Sequence, residues 1–142
     1  LENVFLTVKL HPVEKYDAAY YQDIAVQTGC KNYEIVSHAD LYNLINDTDI
    51  VVTCFSTVGA ESVYFFKPLI ILDHLMQDIQ NYHRDGIAFQ AWNSTTLREY
   101  IELFINNKLL IDTKKYNEYI DRYAYKIDGK VADRVLEFIL SL

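Results

Sequence analysis

Short, β-branched apolar runs alternate with segments of helical spacing at least four times along this chain of 142 residues. That alternation constrains its fold more than any other feature. Residues 3–10 (NVFLTVKL) form the first run, and His11-Pro12 ends it, because a proline cannot donate to a β-ladder. Residues 13–28 carry Tyr16, Ala19, Tyr20 and Ile24 on one helical face, with Gly29 as a cap. A second strand is predicted over 33–36. Ser37 with Asp40 three places on resembles a capping box and opens a helix through Leu41, Leu44 and Ile45. Residues 50–55 (IVVTCF) are apolar on both faces, as a central parallel strand is. Ser56-Thr57 follow, then a helix over 58–66.

Lys67-Pro68 closes that helix ahead of a fourth strand at 69–72. Residues 73–85 read as polar and irregular, 86–89 as a fifth strand. Ser94-Thr95-Thr96 is read as the cap of a helix through Leu97, Tyr100, Ile101, Phe104 and Ile105. Two more helices are predicted over 114–126 and 131–142, parted by Asp128-Gly129. Such alternation predicts an α/β fold: a three-layer Rossmann-like sandwich with a parallel sheet of about five strands and additional C-terminal helices. Residues 1–142 read as one Rossmann-like domain. A strand that begins so close to Leu1 suggests a piece of a longer, two-domain chain.

Composition narrows the function. Hydrophobic residues are 51% and charged residues 23% of the chain, a globular balance. The formal net charge of −7 disfavours DNA and RNA as partners, since such binding needs clustered Lys and Arg. Cys30 and Cys54 match no metal spacing. They read as free thiols of a reducing compartment, with Cys54 a small buried hydrophobe. No apolar run approaches the roughly 20 residues that span a bilayer, and no signal peptide is visible, so the expected location is cytoplasmic.

Ligands of open parallel sheets bind beyond the carboxyl ends of the strands. Topology alone therefore gathers His11-Pro12, Ser37-His38, Ser56-Thr57, Asp73-His74 and the segment after Phe89 on one edge. Ser56-Thr57-Val58-Gly59 is the most informative of these. The unpaired amides of a helix start favour an anion by about 0.3–1 kcal/mol, two hydroxyls add donors, and Gly59 permits close approach to the backbone. The plainer alternative is a helix N-cap on Ser56 or Thr57, and both can hold together. His11 either donates to a phosphate or bonds a backbone carbonyl. Glu61 either offsets the helix dipole or accepts ribose hydroxyls. His74, His83, Arg84 and Asp85 either contact a transferred group or form a solvated loop. Tyr116, Tyr119, Tyr123 and Tyr125 read as a packing face. No H-x₃-H, HExxH or CxxC spacing points to a metal, and neither GxGxxG nor GxxxxGK[ST] appears.

Four motifs taken together resemble a known family. They are Val8-Lys9-Leu10-His11-Pro12, Asp47-Thr48-Asp49-Ile50-Val51-Val52-Thr53, Ser56-Thr57-Val58-Gly59-Ala60-Glu61-Ser62 and Lys67-Pro68-Leu69-Ile70. In this order they resemble the C-terminal, donor-binding half of GT-B glycosyltransferases, above all capsule-polysaccharide transferases, CDP-glycerol glycerophosphotransferases and bacterial sialyltransferases. The tail Asp128-Gly129-Lys130-Val131-Ala132-Asp133-Arg134 is similar to the closing helix of that group.

The resemblance implies donor phosphate binding by His11, Ser56, Thr57 and Gly59, ribose binding by Glu61, and a base near Ser37 and His38. It implies a nucleotide sugar or CDP-polyol as donor substrate, no cofactor, and no required metal. It also implies a missing N-terminal acceptor domain, which would supply the catalytic base, and peripheral membrane association of the parent protein. The expected function is donor binding for transfer of a sugar or polyol phosphate in cell-surface polysaccharide or teichoic-acid-like synthesis, with the fragment alone inactive. Two alternatives stay open: half of an enzyme like UDP-N-acetylglucosamine 2-epimerase, and a non-catalytic binding or assembly module.

Overall fold

A computed structural model of the protein describes residues 3–142. The chain divides into two compact units, residues 1–44 and 45–142, each with its own parallel sheet.

In the first unit, β1 (Leu6–Lys9), α1 (Ala18–Gln27) and β2 (Tyr33–Val36) make a βαβ motif. β1 and β2 pair in parallel, with Leu6 opposite Tyr33 and Lys9 opposite Val36. Thr7 Oγ1 donates to Glu34 Oε1 across the ladder at 2.8 Å. α1 starts later than its periodicity predicts, because Asp17 is extended (φ −80°, ψ 178°) and its carboxylate accepts the Tyr20 amide. The segment before it is held by local bonds instead: His11 O accepts the Glu14 amide, and Glu14 Oε1 accepts that of Lys15. Among the described residues of this unit, Leu10 and Ala25 are the buried hydrophobic ones.

α2 (Leu41–Asp47) carries the chain into the second unit. Its cap is Asp40, whose Oδ1 accepts the Asn43 amide at 2.9 Å. Ser37, read as the cap from sequence, lies outside the helix.

The second unit runs β3 (Val51–Thr53), α3 (Val58–Tyr64), β4 (Leu69–Leu72), β5 (Phe89–Ala91), α4 (Ser94–Ile105), α5 (Thr113–Tyr123) and α6 (Val131–Leu140). The strands lie in the order β3-β4-β5, all parallel, with Val51 opposite Leu69 and Ile70 opposite Phe89. α3 and α4 pack on this sheet, and α5 packs on α3. α4 is capped by Asn93, one residue before the predicted Ser94, through the Thr96 amide.

Four expectations are corrected here. The described strands number five, but they form sheets of two and three strands, not one sheet of five. Each strand spans only three or four residues, so each ladder is short. The central strand of the larger sheet is β4, not β3. Leu69 and Ile70 are 0% exposed, whereas Val52 is 39% and Phe55 43% exposed. Cys54, expected to be buried, is exposed as well. A run apolar on both faces fits either position, and only the ladder partners decide which run is covered. The predicted strand at 86–89 moves to 89–91, because Gly86 (φ +76°) sits in a turn closed by its amide on His83 O. Of the tyrosine stretch, Tyr116 and Tyr119 do pack inside, while Tyr123 and Tyr125 are more than half exposed.

Candidate functional site

The carboxyl end of β3 leads into Ser56-Thr57 and α3. The turn is tight, and it uses most of the amides that the sequence reading leaves unpaired. Ser56 Oγ accepts the Val58 amide at 3.2 Å. Ser56 O accepts that of Gly59 at 3.2 Å, and Thr57 O that of Glu61 at 3.3 Å. The Ala60 amide faces the Tyr82 hydroxyl. Ser56 thus acts as a cap, and its own O–H proton is left for a further acceptor. Thr57 is exposed, and its hydroxyl makes no capping bond. Glu61 is half-buried in the first turn of α3. The turn therefore offers two hydroxyls and a carboxylate rather than a row of amides.

Gly59 is buried, and what approaches it is protein. The ring of Tyr82 lies over it so closely that a Cβ at position 59 would overlap Tyr82 Cε2 and meet Cδ2 at 3.0 Å. Tyr82 is itself 4% exposed; its hydroxyl donates to Ser56 O at 3.3 Å, and its ring meets Tyr119 edge-on. Gly59→Ala should therefore cost about 1–3 kcal/mol in urea denaturation, as overpacked cores do. In a Tyr82→Ala background the same change should become neutral or stabilising, since alanine is the better helix former. An equal penalty in both backgrounds would show that the ring is not the obstacle.

Tyr82 comes from the connection 73–88 between β4 and β5, which the sequence reading treats as irregular. It is held by two aspartates. Asp73, 1% exposed at the end of β4, accepts the Asp78 amide at 2.7 Å and the Gln90 carboxamide at 2.8 Å, both on Oδ2. Burial pushes its pKa up, but the Asp78 and Gln77 amides, Gln90 and the Leu75 amide outweigh burial and hold it below the usual 3.8. Oδ1 has no hydrogen-bond partner among the described residues. Asp78 in turn accepts the His83 amide at 3.2 Å and the Arg84 amide at 2.8 Å. Gln80 Nε2 donates to Phe55 O at 3.0 Å, so this connection is tied to the start of the β3–α3 turn. His83 is structural, with Nδ1 at 3.1 Å from Ala88 O. The signal that could have revealed this is the recurrence of Asp73 and Asp78, short acids whose side chains accept nearby amides.

The other phosphate- and base-binding residues expected from the sequence, His11, Ser37 and His38, belong to the first unit. His11 is exposed after β1, and its Nδ1 accepts the Val13 amide at 3.2 Å, which puts the ring proton of the neutral form on Nε2. Ser37 and His38 are exposed after β2. Ser56, Thr57, Gly59 and Glu61 belong to the second unit. Among the described residues no group of three or more His, Cys, Asp or Glu is placed to hold a metal ion, and no helix is long and apolar enough to cross a membrane.

The chain is similar to the teichoic acid poly(ribitol-phosphate) polymerase of Bacillus spizizenii, strain W23, with 26% identity over 144 aligned positions. The match covers 98% of this chain but only 22% of that protein. No family model and no solved structure matches the chain.

Proposed function

We propose that this chain is the donor-binding part of a transferase that builds a cell-surface polysaccharide or a teichoic-acid-like polymer. The observation that carries the reading is the Ser56-Thr57 turn at the carboxyl end of a parallel strand, with two hydroxyls outside the backbone ladder and Glu61 one helical turn on. This is where open α/β sheets receive phosphorylated ligands. The distant likeness to a poly(ribitol-phosphate) polymerase supports the same chemical class.

The finer assignments belong to this proposal. The donor is a nucleotide sugar or a CDP-polyol, held in a GT-B arrangement. Ser56 and Thr57 donate their hydroxyls to its phosphate, and Glu61 accepts the ribose hydroxyls. In the first unit, His11 donates through Nε2 to a donor phosphate, and Ser37-His38 contact the base. Neutralising charge on the departing nucleotide lowers the barrier as the donor bond breaks. The acceptor and its catalytic base come from a further domain, and the work takes place on the cytoplasmic side.

A melting screen with CMP, CDP, UDP and GDP tests this. A bound nucleotide at 100 times its dissociation constant should add about 2.7 kcal/mol of stability. Thr57→Val and His11→Ala should each remove most of that gain. A flat response to all four nucleotides would sink the reading and leave a scaffold, and an unchanged gain in either variant would reject that residue's role.

A further inference from the structure

A second polar site lies on the same unit and is made by other residues. Arg84, Asp85, Lys115, Glu118, Tyr119 and Arg122 line a surface cavity of about 170 Å³. At roughly 30 Å³ per water, that is the space of about six waters. It suits a phosphoryl group and is well below the pocket size of a drug-sized ligand.

Three cationic side chains from two elements converge here. Arg84 is fixed through its own amide, which Asp78 Oδ2 accepts at 2.8 Å. Its guanidinium has no ion pair or hydrogen bond among the described residues. Lys115 lies along Gly86, whose missing Cβ would meet Lys115 Cγ and Cδ at 3.3 Å. That close approach, together with φ +76° at Gly86, brings the lysine stem down onto the 84–86 turn. Arg122 is only loosely paired, with Nη1 at 3.8 Å from Asp85 Oδ1, and Asp85 also accepts the Tyr123 hydroxyl at 3.3 Å. Glu118 is shared between Lys114 at 3.8 Å and Lys115 at 3.4 Å. Three positive and two negative groups thus line a concavity on a chain of net charge −7.

We infer that this cavity is a binding site for a phosphoryl group, with Arg84 and Arg122 as its two guanidinium forks and Lys115 as a point charge. Arginine forks suit tetrahedral oxyanions because two parallel N–H groups meet two oxygens. The free fork of Arg84 and the long Arg122–Asp85 pair can turn to an incoming anion without breaking a short ion pair. The ligand is either a small phosphomonoester or one phosphate of a phosphodiester chain. The inference does not rest on the donor reading, since no residue is shared with it.

The test is an amide NMR titration of the whole chain with inorganic phosphate, glycerol 3-phosphate and a short glycerol-phosphate oligomer, against sodium chloride at matched ionic strength. Saturable shifts around residues 84–86 and 115–122 are expected with at least one phosphate and not with chloride. Arg84→Gln combined with Arg122→Gln should weaken binding about tenfold or more, as the loss of charge-assisted hydrogen bonds does. Glu118→Gln, which keeps the fold and removes a competing anion, should tighten it a few-fold. Preference for the monoester identifies a small phosphorylated ligand, and preference for the oligomer identifies a phosphodiester chain; either supports the site. Shifts equal to those of chloride, or unchanged binding in the double variant, overturn it. CMP titrated in parallel reports on the Ser56-Thr57 turn, so failure at one site does not mimic failure at the other.

Discussion

Tyr116→Ala is expected to remove about 3–5 kcal/mol of stability from the second unit, the range for deleting a large aromatic from a core. Tyr116 is 1% exposed, and its hydroxyl donates to Lys67 O at 3.0 Å. It therefore pins α5 to the short link between α3 and β4. Tyr116→Phe keeps the ring and should cost only about 1 kcal/mol for the lost bond. The pair also gives a pH test. Burial raises the pKa of this hydroxyl above its ordinary 10.0, so the folded state favours the protonated form. That contribution is intact below pH 10 and is lost as the pH climbs beyond it, because the unfolded chain ionises first. Urea denaturation at neutral pH and above pH 10 should show wild type weakening, with a shallower fall for Tyr116→Phe. Burial raises Tyr119 in the same direction, so some alkaline loss should persist. A cost under about 1 kcal/mol for Tyr116→Ala would contradict the packing described.

The order of elements was legible because each turns on local chemistry. The run Leu69–Leu72 is found as a strand where its four apolar residues predict one. Tyr33–Val36 likewise stands where its composition puts it. What local pattern cannot settle is which strand lies beside which. IVVTCF and LIIL are both apolar on two faces, and ladder partners alone make the second central and leave Phe55 43% exposed. The starts of α3 and α6 stand where predicted, whereas those of α1, α2 and α4 were misplaced for one reason. The capping side chain is an acid or an amide, Asp17, Asp40 or Asn93, while Pro12, Ser37 or Ser94 nearby in the chain reads equally well as punctuation.

The candidate site was legible as a place and less so as a mechanism. Sheet topology points to Ser56-Thr57 from spacing alone, and the turn is indeed a strand-to-helix junction. The fate of its amides depends on a carbonyl that curls back to Gly59, and the fate of Gly59 on a ring twenty-three positions further along the chain. Contacts of that range leave no periodic trace. Arg84 stands out in the sequence as a loop cation, but nothing there sets Lys115 and Arg122 apart, since only the tertiary fold sets α5 beside the 84–86 turn.

The connection that carries Tyr82 should be the most acid-sensitive part of this unit, and Asp73 is why. Its carboxylate accepts an amide and a carboxamide while almost wholly buried. Removing it leaves the Asp78 amide and Gln90 without their acceptor. Asp73→Ala should therefore cost about 3 kcal/mol at neutral pH, since a hydrogen bond to a charged group contributes about 1.5–3 kcal/mol. Asp73→Asn keeps the shape, and it should lose less. The sign of the pH effect follows from a folded pKa below 3.8. The stabilisation is complete above that value and disappears as the pH drops through it toward the folded pKa, because the unfolded carboxylate takes up its proton first. Wild type and Asp73→Asn should thus differ most at neutral pH and converge as the pH falls below 3.8. If the gap between them stays constant across that range, the ionised carboxylate is not what holds residues 73–88 in place. Tyr82 and Gln80 would then owe their positions over the β3–α3 turn to packing alone.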